Sequence, residues 1–194
     1  MLISRSPLRV TLGGGGTDLP SWYKKNGSFL ISMTINKYIY VISSLREYDK
    51  KIWLSYSKNE VVNKVNQIKN KYLKECIKFY NLEKGLEIHT ISDIPGNSGL
   101  GSSGAFLVGV NAALDKLFSK KINLKNIAER SCMIESEKLK RNTGKQDQFS
   151  STFGGLNKIE VNKSGKVSIN KISIKKDILK KLNTNILLYF SGEY

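Results

Sequence analysis

Residues 95–106, PGNSGLGSSGAF, carry Pro95, a glycine turn at Gly99, Leu100 and Gly101, then Ser102, Ser103 and Gly104 at the head of an apolar run. That succession builds an anion site. Glycines let backbone N–H groups converge, and the start of a helix adds unpaired donors and the positive end of its dipole. A polyphosphate suits this chemistry; an ordinary serine-capped helix after a tight turn is the plainer alternative. The stretch holds no GxxxxGK[ST] sequence, and its formal G-x-G-x-x-G match lacks the βαβ surroundings of a dinucleotide fold. A second glycine cluster occurs in SPLRVTLGGGGTDLP, residues 6–20, where Gly13, Gly14, Gly15 and Gly16 separate a strand-like run from Thr17 and Asp18. Four consecutive glycines imply close approach of a ligand to the backbone, or else a flexible linker.

These segments depend on the elements around them. LISRSPLRVTL and SFLISMTINKYIYVISSL alternate as strands, joined by a helical turn at PSWYKK, and KKIWLSY adds another strand. From Glu60 to Leu82 apolar residues recur near a 3.6-residue period, which predicts an amphipathic helix. GLEIHTISDI is a strand entering the glycine turn. Helices are predicted over 102–119 and 123–141, the second capped by Asn123. GKQDQFSSTFGG is a loop running into a short helix, and GLNKIEVNKSGKVSINKISI a hairpin. A helix KKDILKKL and an apolar strand NILLYF close the chain.

The chain has 194 residues and a net charge of +16, with 40% hydrophobic residues, as expected for one folded core. Its lysines are spread over most segments and alternate with apolar residues at helical spacing, the pattern of solvated helix faces rather than of a clustered nucleic-acid patch. Cys76 and Cys132 have no CxxC spacing and no histidine ligands nearby, so they read as buried free thiols of a cytoplasmic protein. No apolar run has signal-peptide or membrane-spanning character. His89, the sole histidine, reads as structural.

PGNSGLGSSGAF resembles the PxxxGLGSSA phosphate-binding motif of the GHMP kinases. SPLRVTLGGGGTD is similar to that superfamily's N-terminal sugar-binding motif, and GKQDQF to the loop carrying the catalytic aspartate in galactokinases. Galactokinases have Glu and His where this chain has Gly15 and Gly16; GGGTD together with GKQDQ looks more like the heptose 7-phosphate kinases and the related fucose kinases. The resemblance implies a two-layer α/β (α+β) domain of the ribosomal protein S5 domain 2 type, a mixed sheet backed by helices. It implies transfer of the ATP γ-phosphate to the anomeric C1 hydroxyl of a sugar, foremost D-glycero-D-manno-heptose 7-phosphate on the way to a nucleotide-activated heptose, with fucose or another hexose as alternative acceptor.

By the same resemblance, Pro95 and residues 99–104 would hold ATP, and Ser103 would offer its hydroxyl to Mg²⁺. Of the carboxylates Glu129, Glu135 and Glu137, Glu135 lies twelve residues before Asp147, the separation that galactokinase-like members keep between metal ligand and base. Asp147 would be the base and Arg9 the cation beside it, lowering its pKa; a helix N-cap is the plainer reading of Asp147. Gly15, Gly16, Thr17 and Asp18 would meet the sugar, Asp18 through adjacent hydroxyls, unless it is merely a turn former. Lys145 and Gln146 would meet the substrate too, Lys145 at a distal phosphate. Superfamily members usually carry a second α/β domain, which residues 186–194 would begin after an N-terminal domain spanning 1–185. A basic RNA-binding module of the same fold type, or an inactive truncated kinase, is the competing class.

Overall fold

The alternation of β-branched and aromatic residues through the first forty-six positions does produce strands; the first glycine cluster follows the end of one of them, and the second packs beside Arg9 on the same strand. The computed structural model describes residues 1–82 and 85–189. Strand β1 (Leu2–Gly13) runs antiparallel to β2 (Ser28–Arg46), a single strand of 19 residues. The other edge of β2 is shared: residues 39–46 pair with β5 (Gly85–Ser92), and residues 28–33 with β6 (Leu156–Val161). Beyond β5 lie β3 (Ile52–Ser55) and β4 (Asn59–Val62), and beyond β6 lies β7 (Val167–Lys171). Among the described residues only β3 and β5 run parallel, so the seven-stranded sheet is mixed, as expected.

Helices cover one face. A short α1 (Pro20–Asn26) joins β1 to β2, with Pro20 at its first turn, where a missing N–H costs nothing. Helix α3 (Ser102–Leu117) lies across β1 and β2, and with α2 (Lys71–Ile77) it seals a core of Leu8, Val41, Ile88, Leu107, Val110 and Leu114. Helices α4 (Leu124–Met133) and α5 (Gln146–Phe153) close the other end over Leu30, Phe149 and Ile159. Helix α6 (Lys176–Asn185) exposes Ile178 and Leu179.

Three expected elements differ. The stretch 60–82 is not one helix: Asn59–Val62 pairs with β3, a 3₁₀ turn covers Val65–Gln67, and α2 begins only after Asn70, whose side chain accepts from the Leu73 N–H. A β-branched pair, Val61 and Val62, fits strand and helix periods alike; burial of Glu60 decides for the strand, because its carboxylate accepts from the Tyr56 hydroxyl and the N–H groups of Lys69 and Asn70. The 123–141 helix keeps its Asn123 cap, but α ends at Met133 and a π turn, Ile134–Lys138, follows, with the Leu139 N–H reaching the Ile134 carbonyl. Residues 186–189 of NILLYF form no strand, and Asn185 ends α6; the rest of the expected second-domain start, 190–194, lies outside the described residues. No helix among the described residues is long and apolar enough to cross a membrane.

Candidate active site

The turn between β5 and α3 has left-handed backbone at Asn97, Gly99 and Gly101, which aims the chain into the helix without any side-chain cap. With glycine at the N-cap, the first N–H groups of α3 are left for an external acceptor. Strand β1 braces this turn: the Arg9 N–H donates to the Leu100 carbonyl at 3.0 Å, and Arg9 Nη1 to the Gly99 carbonyl at 2.7 Å. Arg9 then turns to Asp147, with Nε and Nη2 at 2.7 and 2.5 Å from Oδ1. One side chain thus ties the phosphate-type turn to the expected base.

Asp147 stands in the first turn of α5, pressed against the start of α3. A Cβ on Gly104 would lie 2.5 Å from the Asp147 Cβ, so glycine is what permits this approach. The Asp147 side chain is 24% exposed and Arg9 13%. Burial raises the Asp147 carboxyl above the ordinary aspartate range and outweighs Arg9, which pulls it down. The sequence expectation of a net lowering is therefore corrected: Arg9 acts in the stated direction, but desolvation wins.

The π turn brings Glu135 inward, 1% exposed, while Glu137 faces out and Glu129, 51% exposed, sits near Lys125. Glu135 Oε2 accepts from Gln148 Nε2 at 2.6 Å, and the Ser103 hydroxyl is near enough to favour the ionised form of the same carboxylate. Oε1 is buried without a partner. Burial raises the Glu135 carboxyl, with Ser103 pulling it down and Asp147 pushing it up. An orphaned carboxylate oxygen beside a serine hydroxyl fits a hard cation that draws its other ligands from water and phosphates, as Mg²⁺ does. No group of three acidic, histidine or cysteine side chains that could hold a metal alone occurs among the described residues.

The first glycine run packs against β2. Gly14 has left-handed backbone, and a Cβ there would strike the Phe29 carbonyl. Gly16 is left-handed with open space, and Gly15 would meet only Thr11 Cγ2 at 3.5 Å. Thr17 Oγ1 donates to the Gly14 carbonyl and closes the turn. Asp18 is 1% exposed, and its Oδ2 accepts from the N–H groups of Lys145 and Gln146 at 2.7 and 2.8 Å, with Gln146 Nε2 on Oδ1 at 3.2 Å. Its observed job is capping α5, which leaves little of the carboxylate for sugar hydroxyls. Gln146 is spent on Asp18 and on Thr11, whose hydroxyl donates to Oε1 at 2.5 Å. Lys145 Nζ reaches the Gly165 carbonyl in the β6–β7 turn rather than open space at the site. Sequence reasoning missed Gly144, whose missing side chain makes room for the Asp18 carboxylate, and Gln148; the glycine before KQDQ was the visible signal for the first.

Pro95, Ser98 and Leu100 line one wall of an open cleft of about 1140 Å³ that also includes Met33, Ile35 and Leu179. Cys76 and Cys132 are buried free thiols, and His89 pairs with Glu87.

The site thus joins a glycine turn at a helix start, a buried carboxylate with one unpartnered oxygen and an arginine-held aspartate. The profile "GHMP kinases N terminal domain" matches residues 60–155. The D-glycero-alpha-D-manno-heptose 7-phosphate kinase of Campylobacter jejuni is 32% identical over 97% of this chain and 59% of its own length. A Lactococcus lactis galactokinase is 30% identical over 79% of this chain and 41% of its own. The crystal structure of a D-glycero-D-manno-heptose 1-phosphate kinase from Bacteriodes thetaiotaomicron superposes with a TM-score of 0.85 at 28% identity, covering 93% of this chain and 63% of that one. The chain belongs to the GHMP kinase superfamily, and its two-layer fold is the one expected. It spans about three fifths of the length of the heptose phosphate kinases it matches.

Proposed function

We propose that this chain forms the ATP- and sugar-binding half of a sugar 1-kinase whose acceptor is a heptose phosphate, D-glycero-D-manno-heptose 7-phosphate foremost. The observation that carries the reading is the Arg9 link between the Gly99 carbonyl and the Asp147 carboxylate, which sets a base beside a phosphate-type turn. Phosphoryl transfer asks a protein mainly to position the reactants and neutralise charge.

The β- and γ-phosphates would lie on the N–H groups of residues 101–104, with the apolar surface of Pro95 and Leu100 beside them for the nucleoside. Glu135 and Ser103 would hold Mg²⁺, which neutralises phosphate charge when bound. Asp147 accepts the proton of the C1 hydroxyl as that oxygen attacks the γ-phosphorus; the bond to the β-phosphate oxygen breaks and ADP leaves. A carboxyl raised above its usual range is a better base near neutrality than an ordinary aspartate. Arg9 holds that carboxylate in place and favours its ionised form against the effect of burial. The space beside Gly15 and Gly16 suits an acceptor larger than a hexose, and Asp18 orders α5 behind it.

An ADP-release assay over sugars and sugar phosphates with Mg-ATP tests this, run on the chain and on a form extended by the C-terminal region its relatives possess. Turnover with heptose 7-phosphate and not with mevalonate or homoserine is the expected result. Absence of turnover with every sugar in both forms ends the kinase reading.

A further inference from the structure

Resting on the reading of Glu135 as a metal ligand, we propose that Gln148 is the positioning residue of that ligand: its amide N–H fixes one carboxylate oxygen of Glu135 and leaves the other free for the cation. Gln148 is 0% exposed, an uncommon place for a carboxamide. Its Nε2 lies 2.6 Å from Glu135 Oε2, while Gln148 Oε1 and Glu135 Oε1 are both buried without a hydrogen-bond partner. The amide orientation follows from the carboxylate, which can only accept when ionised. Two unpartnered acceptors in one small region are costly in an apolar setting and are relieved only by a donor or a cation. Plain structural pairing would satisfy both side chains; here one buried oxygen of each is left without a hydrogen bond.

Its place in the chain gives the contact a second meaning. Gln148 follows Asp147 in the first turn of α5, so the turn that presents the base also clamps the carboxylate on the π turn. Gly104 allows the approach, since a Cβ there would lie 3.1 Å from the Gln148 backbone nitrogen. Base and metal ligand are thereby held in one unit, with the Ser103 hydroxyl of α3 favouring the ionised form of Glu135. Residues that orient a metal ligand through a hydrogen bond typically change metal affinity about 10- to 100-fold when removed.

The test is Mn²⁺ binding in the presence of ADP, followed by electron paramagnetic resonance on the full chain, for wild type, Gln148→Met, Gln148→Asn and Glu135→Gln. Methionine keeps the bulk of glutamine without the N–H; asparagine keeps the N–H on a stem too short to reach, and it carries the test where the methionine variant does not fold. Either Gln148 variant is expected to weaken Mn²⁺ about tenfold or more, with ADP affinity in the absence of metal unchanged. In turnover, the Mg²⁺ requirement should rise by a similar factor while the KM for the sugar stays put, a split that a merely structural loss does not give. Wild-type Mn²⁺ affinity in a folded Gln148 variant, alongside weakened binding in Glu135→Gln, overturns the role of Gln148. Unchanged Mn²⁺ affinity in Glu135→Gln overturns the metal reading beneath it.

Discussion

Arg9 and Asp147 are 138 positions apart in the chain and meet through Nε and Nη2 on a single carboxylate oxygen, at 2.7 and 2.5 Å. The same guanidinium holds the Gly99 carbonyl, so strand β1 connects the first turn of α5 to the glycine turn. Arg9 offers a planar fork that a lysine cannot reproduce.

Replacing Arg9 by methionine removes the group that opposes the raised Asp147 carboxyl. Burial and the charge of Asp18 then act unopposed, so the carboxyl rises further, and the acid limb of the kcat/KM profile should move to higher pH. The plateau rate should fall about 10²- to 10³-fold, with Arg9→Lys retaining more activity than Arg9→Met. A pH–rate profile of both variants checks this.

Glu135 gives a stability prediction of the opposite kind to most surface carboxylates. Its folded-state carboxyl lies above the ordinary value of 4.5, chiefly through burial. Its contribution to stability is therefore complete below that value and is lost as pH rises through the raised one. Glu135→Gln should melt higher than wild type at pH 7 and show no such gain at pH 4, in thermal melts without metal. The same substitution should abolish stabilisation by Mg²⁺ and ADP together.

How much of this was legible beforehand depends on how local the signal is. Helix α3 and the turn before it could be placed because glycine spacing, the serine pair and the apolar run lie within one short stretch. The Arg9–Asp147 pair came only through resemblance to a family, since no periodicity links positions that far apart. Residues 60–82 misled because Val61 and Val62 suit either period, and the buried carboxylate of Glu60 settles the strand through bonds to the backbone of Lys69 and Asn70, which no periodicity foretells. Asp18 looked like a sugar ligand because the one sign of its place, the glycine before KQDQ, lies 126 positions away at Gly144. Gln148 gave no signal at all, because its partner sits on a π turn that helix periodicity does not foretell.

Asp18 holds α5 by its first N–H groups. Asp18→Ala strips that cap and leaves the N–H of Lys145 and Gln146 without their acceptor, which should cost about 1–2 kcal/mol. For a chain of this size that is a fall of roughly 2–8 °C in melting temperature. Asp18→Asn, which keeps one acceptor oxygen, should lose less. Chemical denaturation of both variants measures the difference.

Gly15 tests the acceptor site without touching the fold. Its backbone is not left-handed, and a Cβ would meet only Thr11 Cγ2 at 3.5 Å, so Gly15→Glu should melt within about 1 °C of wild type. Nucleotide binding should be retained while the KM for the sugar rises tenfold or more. Loss of nucleotide binding would instead assign the run to the fold, as Gly14 already is.

The base assignment is tested most directly by phosphorus NMR of the reaction with Mg-ATP and D-glycero-D-manno-heptose 7-phosphate, comparing wild type with Asp147→Asn in the form extended by the C-terminal region. A new resonance coupled to the anomeric proton should grow with wild type at the rate of ADP formation, and Asp147→Asn, still binding ATP, should slow it at least about 10³-fold. A phosphate appearing on another carbon, or an Asp147→Asn variant that turns over at the wild-type rate, would contradict the account.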